Sequence, residues 1–244
     1  MTRLSVVVPV LDDAEHLAVL LRLLAAQTRP ADQLVVVDNG CTDNSADLAR
    51  AAGAVVVREA IRGIPAAAAR GYDTADGDIV VRCDADTRPP ADWLERIARR
   101  FEREPRLDAL TGPGTFYDLP RWWGAPAAVL YALGYFVGAG SGIAAWPLWG
   151  SNMAFRRGLW ERVGPRIARD RNDVHDDLDF SCRMGPETAV RFDARLRVGV
   201  AGRMFHNRAA AARRLGLAVG TLRLNWAAGG PGDRWVERVR RTRR

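Results

Sequence analysis

Apolar residues form short continuous runs along the first half of the chain. The runs are rich in valine, leucine and isoleucine and lie at residues 4–10, 34–37, 54–57, 79–81 and 107–111. Between the runs, apolar residues recur at helical spacing, which predicts helices over residues 45–52, 64–75 and 90–103 and an earlier one that contains Leu17, Leu20, Leu21 and Leu24. Continuous apolar runs suit parallel strands that helices cover on both faces. The pattern therefore predicts an α/β fold with a Rossmann-like, doubly wound, mostly parallel sheet and helices on both faces.

Acidic residues follow several of these predicted strands. Asp84 and Asp86 come directly after the run at 79–81, and Asp38 ends the run at 34–37. The carboxyl ends of parallel strands share one edge of the sheet, where open α/β sheets bind ligands. Two carboxylates one residue apart suit Mg²⁺ or Mn²⁺, which fills its other positions with phosphate oxygens and water. A plain turn after a strand is the alternative for this DxD sequence, because Asp is common in turns.

Charge and composition exclude several classes of protein. The net charge is +7, but every basic residue is Arg, and no motif of a nucleic-acid-binding protein accompanies this charge, so we expect no nucleic-acid partner. A P-loop needs a lysine, and the chain has none; a GxGxxG fingerprint is also missing. The three cysteines are far apart, and the N-terminus enters a strand without a leader. These features predict a cytoplasmic protein, which its Arg-rich C-terminus would attract to the inner face of an anionic membrane.

Residues 122–155 contain no charged residue and no histidine, and include eight aromatic residues. Three interpretations stay open: a membrane span, a buried or lid-like segment beside the active site, and a surface that docks onto lipid. A span would place the carboxylates before and after it on opposite sides of the membrane. Several glycines and Pro147 interrupt the segment's helical character.

A second acidic cluster lies in the sequence NDVHDDLDFSCR and contains Asp173, Asp176, Asp177 and Asp179. One of them, Asp176, can cap a helix. Capping does not explain all four carboxylates. Like charges this close raise one another's pKa, which is costly unless cations or a function of the site compensate the repulsion. Two short strands are predicted over residues 189–200.

The C-terminal part is predicted as an amphipathic basic helix over residues 207–226, followed by a glycine-proline break and an Arg-rich tail. The apolar stripe of that helix is expected to comprise Leu215, Val219, Leu222 and Trp226. We expect three regions, which span residues 1–112, 113–205 and 206–244.

With these pieces in order, the chain resembles the family 2 glycosyltransferases, which have the GT-A fold. The matching elements run from about residue 4 to residue 185 and read SVVVPV with Asp12-Asp13, VVVDNGCTDNS, IRGIPAAAARGYDTADGD, CDADT, GSNMAFRR and HDDLDFSCR. The resemblance implies a nucleotide-diphosphate sugar as the donor, Mg²⁺ or Mn²⁺ held by the DxD aspartates, and inversion at the sugar carbon. It also implies a catalytic base at Asp177, with Asp176 in the place of a glutamate.

The resemblance and the chemistry of the residue types give a set of expected site residues. Donor binding is expected from Pro9, Asp13, Asp38, Arg62, Arg70, Asp84 and Asp86. The two arginines are included because Arg grips phosphate bidentately, with a solvated helix face as the alternative for each. The acceptor side is expected to include Gly150, Ser151, Asn152 and Asp176. A third metal ligand is expected at His206, whose alternative is a plain polar residue at the start of the last helix.

One departure from the family's pattern and two competing functions remain. The family often has Tyr-Asn-Glu after the first strand, where this chain has Leu11-Asp12-Asp13, so the resemblance leaves the donor base open. A sugar-phosphate nucleotidyltransferase would need a glycine-rich and basic loop after that strand. A membrane-surface binding or scaffolding protein would tolerate replacement of Asp84, Asp86 and Asp177. The apolar segment suggests a lipid-linked or otherwise apolar acceptor.

Overall fold

The fold is an α/β domain built on one mixed sheet. The computed structural model describes residues 2–227 and 229–242. Seven strands form the sheet in the order β3-β2-β1-β4-β7-β5-β8, and two further strands, β6 and β9, form a small parallel pair. The strands are β1 (Leu4–Val10), β2 (Gln33–Asp38), β3 (Val55–Arg58), β4 (Ile79–Arg82), β5 (Ala109–Thr111), β6 (Gly114–Phe116), β7 (Met153–Arg156), β8 (Val190–Phe192) and β9 (Val198–Val200).

Helices connect and cover these strands. They are α1 (Ala14–Ala25), α2 (Ser45–Ala51), α3 (Ile64–Thr74), α4 (Trp93–Arg103), α5 (Arg121–Ala132), α6 (Gly140–Ile143), α7 (Arg157–Val163), α8 (Asp176–Arg183), α9 (Arg203–His206), α10 (Arg208–Trp226) and α11 (Pro231–Thr242). A π-helical segment, Leu133–Ala139, joins α5 to α6. The predicted α/β class and mostly parallel sheet are confirmed. The four leucines predicted on one face of α1, Leu17, Leu20, Leu21 and Leu24, face the core.

The register of the sheet sets where the polar loops meet. β1 pairs in parallel with β2 on one side and with β4 on the other. Val10 lies opposite Asp38, and Val7 lies opposite Arg82. The loops that follow these three strands therefore leave the sheet at the same edge, as the sequence predicted.

Strand β7 was not predicted from the sequence. In the structure Met153–Arg156 runs antiparallel between β4 and β5 and is buried over its first three residues. This placement brings the preceding Gly150 and Ser151 next to the loop that follows β4. Strands from the first 112 residues and from later residues thus share one sheet.

Three details of the predicted helices were wrong. Asp176 does not cap a helix with its side chain, since it is the first residue of α8 and His175 is the N-cap residue. The predicted stripe of α10 is only half packed, because Leu215 is exposed while Thr221 and Asn225 face the core. The predicted Arg-rich tail forms helix α11 as far as Thr242.

The charge-free segment forms a helix that lies along the domain. Over Trp122–Ile143 it is long and apolar enough to cross a membrane by length and composition alone. However, Ala127, Tyr135 and Phe136 pack into the main core, and Ile143 packs beside α8. Because contacts with the same domain extend from near the start of this helix to its end, the structure disfavours a span. The outward side of the helix is apolar too, and Trp122 is 80% exposed.

Candidate active site

The donor side of the site begins with a turn after β2. The Oδ1 atom of Asp38 accepts hydrogen bonds from the backbone N–H groups of Gly40 and Cys41, at 3.0 and 2.8 Å. Burial opposes the charge on Asp38, but these N–H groups lower its pKa below the ordinary value. Asp38 is therefore an anionic hydrogen-bond acceptor at the sheet edge.

The next residue, Asn39, ties a second loop to this turn. Its Nδ2 donates to the carbonyl of Ile61 at 2.8 Å, and its Oδ1 accepts the N–H of Gly63 at 2.7 Å. Gly63 has φ +142°, and a Cβ there would lie 1.7 Å from Asn172 Oδ1. Only glycine fits this close approach, which places the start of α3 beside the site.

Two carboxylates and one guanidinium form a cluster beyond the ends of the neighbouring strands β1 and β4. Nη2 of Arg203 donates to Asp13 Oδ2 at 2.5 Å, and Nε of Arg203 is 3.5 Å from Asp86 Oδ2. Burial, and then the neighbouring Asp84 carboxylate, raise the pKa of Asp86 to about 6, against the effect of Arg203. Anionic oxygens from two strand ends thus converge on one position where positive charge is favoured.

Arg82, the last residue of β4, connects the two acidic motifs. It is 2% exposed; Nη1 donates to Asp176, and Nη2 donates to Asp84 Oδ1 at 3.2 Å. Burial opposes its charge, but Asp176 and the other carboxylates raise its pKa well above the ordinary value. A Cβ on Gly150 would lie 2.6 Å from Arg82 Cζ, so glycine is needed for the guanidinium to lie there. The other oxygen of Asp84 accepts the hydroxyl of Ser151 at 2.5 Å.

Asp177 lies deeper, at the start of α8, and is 3% exposed. Oδ2 accepts the backbone N–H of Gly150 at 2.7 Å, and Oδ1 is 2.6 Å from Nδ1 of His175. Burial opposes its charge, but His175, Arg82 and the Gly150 N–H together lower the pKa of Asp177 to about 2. Asp177 is therefore a buried carboxylate that stays ionised at neutral pH.

Each of the four clustered carboxylates has a separate partner. Asp173 pairs with Arg171 at the surface, and Asp176 pairs with Arg82. Asp179 is fully buried and accepts hydrogen bonds from Ala168 N–H, Asn225 Nδ2 and Arg183 Nε. The expected mutual repulsion is thus compensated residue by residue.

The other expected site residues have varied surroundings. Pro9 is buried within β1, opposite Val37. Nη2 of Arg62 is 3.9 Å from Asp12, at the edge of the site. Arg70 lies on the exposed side of α3, where the structure gives it no contact with the site carboxylates. His206 ends α9, and its side chain lies outside the described part of the structure, so its role as a ligand stays a prediction.

Asn152 requires a correction. Its side chain is fully buried, with Oδ1 accepting Trp93 Nε1 at 2.9 Å and Nδ2 donating to the Leu196 carbonyl at 2.6 Å. Because both ends of the amide are bonded inside the core, Asn152 holds the loop before β7 and does not reach the acceptor. Gly150 and Ser151 do border the site.

Sequence reasoning missed three residues: Arg82, His175 and Arg203. Arg82 and His175 each lie within two residues of a predicted carboxylate, so the signal was a cationic or titratable residue beside each acidic motif. Arg203 lies beyond the matched motifs, and only its contact with Asp13 and Asp86 reveals it.

The fold matches that of sugar-transferring enzymes. A mannosyltransferase from Pyrobaculum calidifontis, solved with GDP-Man and Mn²⁺, aligns with a TM-score of 0.67 and 22% identity over 89% of this chain and 63% of its own. The glucosyl-3-phosphoglycerate synthase of Mycobacterium tuberculosis, solved with Mn²⁺, UDP-Glc and phosphoglyceric acid, aligns with a TM-score of 0.68 and 20% identity over 92% and 79% of the two chains. These likenesses establish the GT-A fold.

The sequence establishes the family. Residues 5–164 match the model of glycosyl transferase family 2, and the chain belongs to that family. An undecaprenyl-phosphate 4-deoxy-4-formamido-L-arabinose transferase of Serratia proteamaculans is 32% identical over 110 residues, which is 41% of this chain and 34% of that protein. Glycosyltransferase AglE of Haloferax volcanii is 31% identical over 38% of this chain and 33% of its own length. The chain thus matches about a third of the length of these curated relatives.

Proposed function

We propose that this glycosyltransferase moves a sugar from a nucleoside-diphosphate donor to a hydroxyl of an apolar, lipid-linked acceptor, with inversion and with Mg²⁺ or Mn²⁺. The observation that carries the proposal is the position of Arg82, which bonds to Asp84 of the DxD motif and to Asp176 of the second acidic motif. These carboxylates lie 92 positions apart in the sequence (84 to 176), yet they share one buried cation. This reaction needs a metal-binding motif and a base motif in the same site.

The residues around Asp86 fit a hard divalent cation. Asp86 offers carboxylate oxygens. The guanidinium of Arg203 lies between Asp86 and Asp13, and both oxygens of Asp13 already have partners, His16 and Arg203. Asp84 has both oxygens bonded to Arg82 and Ser151, so Asp86 is the principal metal ligand in this proposal, with Asp84 and His206 as predicted partners. When bound, the cation neutralises negative charge on the leaving diphosphate. Arg203 and Arg62 add positive charge on the same side.

The acceptor side supplies a base. The hydroxyl of the acceptor loses its proton to the group formed by Asp177 and His175 as its oxygen attacks the sugar carbon. The bond from that carbon to the diphosphate oxygen breaks, and its electron pair leaves with the diphosphate. A single displacement of this kind inverts the sugar carbon, so an α-linked donor gives a β-glycoside.

The binding of UDP, GDP and dTDP, measured by calorimetry with and without Mn²⁺, tests this function. We expect at least one of them to bind in a Mn²⁺-dependent manner, and the corresponding sugar nucleotides then to release the diphosphate on incubation. If none of the three binds, the proposed donor site is wrong. A panel with a polyprenyl phosphate and a polyprenyl-linked sugar distinguishes transfer to phosphate, suggested by the name of the Serratia relative, from transfer to hydroxyl.

We also propose that the enzyme works on the surface of an anionic membrane. The outward side of the helix from Trp122 to Ile143 carries no charge, and Val129, Leu130, Leu133 and Val137 are exposed along it. The inward side of the same helix carries Tyr131 and Tyr135, next to Asp177. Trp235 of α11 extends this surface, since its Nε1 donates to the Ser141 carbonyl at 2.9 Å.

Vesicle binding tests the membrane proposal. We expect the protein to co-sediment with phosphatidylglycerol vesicles more strongly than with phosphatidylcholine vesicles, because exposed arginines of α10 and α11 add attraction. The double variant Val129→Glu/Val137→Glu should lower the partition coefficient about tenfold or more, since it removes two apolar side chains from the contact. Val55→Glu, at an exposed valine of β3, is the matched control and should bind as the wild type does. Equal binding by both variants would contradict the proposed surface.

A further inference from the structure

We propose that His175 is the catalytic residue that takes the proton from the acceptor, and that Asp177 holds and orients its ring. This inference rests on the proposed function, because it divides the role of base between two residues of that site. The resemblance to the family implied Asp177 alone. The contacts of the two side chains support the division.

Asp177 is poorly placed to meet an acceptor directly. Its carboxylate is almost wholly buried, and each oxygen already has a partner, the Gly150 N–H at 2.7 Å and His175 Nδ1 at 2.6 Å. An acceptor hydroxyl would have to pass both contacts to reach an oxygen of this carboxylate. The same two contacts fix the carboxylate rigidly, which suits an orienting group.

His175 is better placed. Its side chain is 23% exposed, against 4% for that of Asp177. Nδ1 faces Asp177, and no hydrogen bond to Nε2 is found among the described side chains. The backbone N–H of His175 donates to Thr221 Oγ1 at 2.7 Å, which anchors the residue to α10. The imidazole therefore has one nitrogen held by the carboxylate and one left for a substrate.

The proton step balances with these two groups. The O–H bond of the acceptor breaks, its proton passes to Nε2 of neutral His175, and the oxygen forms the bond to the sugar carbon. The bond from the sugar carbon to the diphosphate oxygen breaks, and its electron pair leaves with the diphosphate. The imidazolium that results donates from Nδ1 to Asp177, whose negative charge stabilises it without itself taking the proton.

The charged groups around His175 favour this arrangement. Asp176 and Asp177 of α8 face the ring, as do Arg214 of α10 and Tyr135 of the π-helical segment, whose ring centroid is 6.2 Å away. Burial and Arg214 oppose a positive charge on His175, but Asp177, followed by Asp176, raises its pKa above the ordinary value. Asp177 and Asp176 thus make His175 a stronger proton acceptor than an ordinary histidine.

Two-dimensional ¹H–¹³C NMR of the full-length protein tests the pair without any substrate. The chain has three histidines, so the signal of His175 is the one that disappears in His175→Gln. We expect its pKa to lie above about 6.5 in the wild type and to fall in Asp177→Asn. A pKa at or below that value in the wild type, or one unchanged in Asp177→Asn, would overturn the pairing.

Release of diphosphate with water as the acceptor tests the catalytic role. The probes are UDP-glucose, GDP-mannose and dTDP-glucose with Mn²⁺, measured from pH 5 to pH 9. In His175→Gln at saturating Mn²⁺ we expect the rate to fall by about 10²–10⁴ and the acidic limb of the profile to disappear, with Mn²⁺-dependent nucleotide binding retained. Added imidazole should partly restore His175→Ala, which a merely structural role would not allow.

The possible outcomes separate the two proposals. If His175→Gln keeps the acidic limb and loses less than about tenfold in rate, Asp177 takes the proton itself and the inference is wrong. If the wild type binds no nucleotide, the proposed function fails, while the NMR titration still decides whether Asp177 controls His175. Retained nucleotide binding in His175→Gln shows that a lost rate is not a lost fold.

Discussion

Replacing Asp86 with Ala should abolish Mn²⁺-dependent binding of the donor nucleotide. Asp86 lies 3.5 Å from Arg203 through its Oδ2, and both oxygens of its neighbour Asp84 are already bonded to protein groups. We expect affinity to fall about 100-fold or more, which corresponds to about 2.8 kcal/mol. Titration calorimetry with and without Mn²⁺ measures this loss.

The matched control is Asp76→Ala. Asp76 precedes β4, at the opposite edge of the sheet, and pairs with Arg3 at the surface. This variant should bind nucleotide as the wild type does. Mn²⁺-dependent binding that survives in Asp86→Ala would place the metal elsewhere and would favour a scaffolding role over a transferase.

The pKa of Asp86 adds a pH dependence to this result. Because burial and Asp84 raise the pKa to about 6, a metal must displace a proton from Asp86 at lower pH. We expect Mn²⁺ affinity to fall about tenfold for each pH unit below about 6. In the metal-free protein, the folded chain keeps this proton to a higher pH than the unfolded chain does. The free energy of unfolding should therefore decrease as pH rises from the ordinary value of 3.8 to about 6.

Replacing Asp177 with Asn should slow turnover while leaving donor binding nearly unchanged. Asn keeps the shape and one carbonyl oxygen for the Gly150 N–H, but it lacks the charge that faces His175. We expect kcat to fall by about 10²–10⁴, the usual contribution of a positioned general base. Initial rates at saturating donor measure kcat, and calorimetry measures binding.

Asp173→Asn is the matched control within the same acidic cluster. Asp173 is exposed and pairs with Arg171 at the surface, so its loss should leave kcat within a small factor of the wild type. Equal losses in both variants would indicate a general effect of charge in this segment. Unchanged kcat in Asp177→Asn would remove the second acidic motif from the reaction.

The sheet could be predicted because its strands carry their own signal. Strands β1, β2 and β4 are continuous apolar runs, and the loops after them begin with the aspartates that define the site. Strand β7 has only three apolar residues before Arg156 and Arg157, so a local pattern does not distinguish it from a turn. Its pairing with β4 and β5 comes from tertiary structure.

Parts of the site could not be predicted for a similar reason. A charged residue such as Arg82 is expected at the surface. It is buried only because the nearby Asp84 and the distant Asp176 compensate its charge. Helix α11 was expected to be a tail because of its arginines. Arg234 and Arg238 instead donate to the carbonyls of Cys182 and Ala144, and so dock the helix onto the domain.

Arg82 also bears on how fast the site can respond when charge develops on the reacting atoms. Its guanidinium is fixed beneath both acidic motifs by folding, and Gly150 packs against it. Dipoles and charges that are already oriented need little reorganisation as the reaction proceeds, whereas water would have to turn around the new charge. The free-energy cost of bringing the carboxylates of both motifs together thus arises once, when the chain folds, and is not repeated in each catalytic cycle.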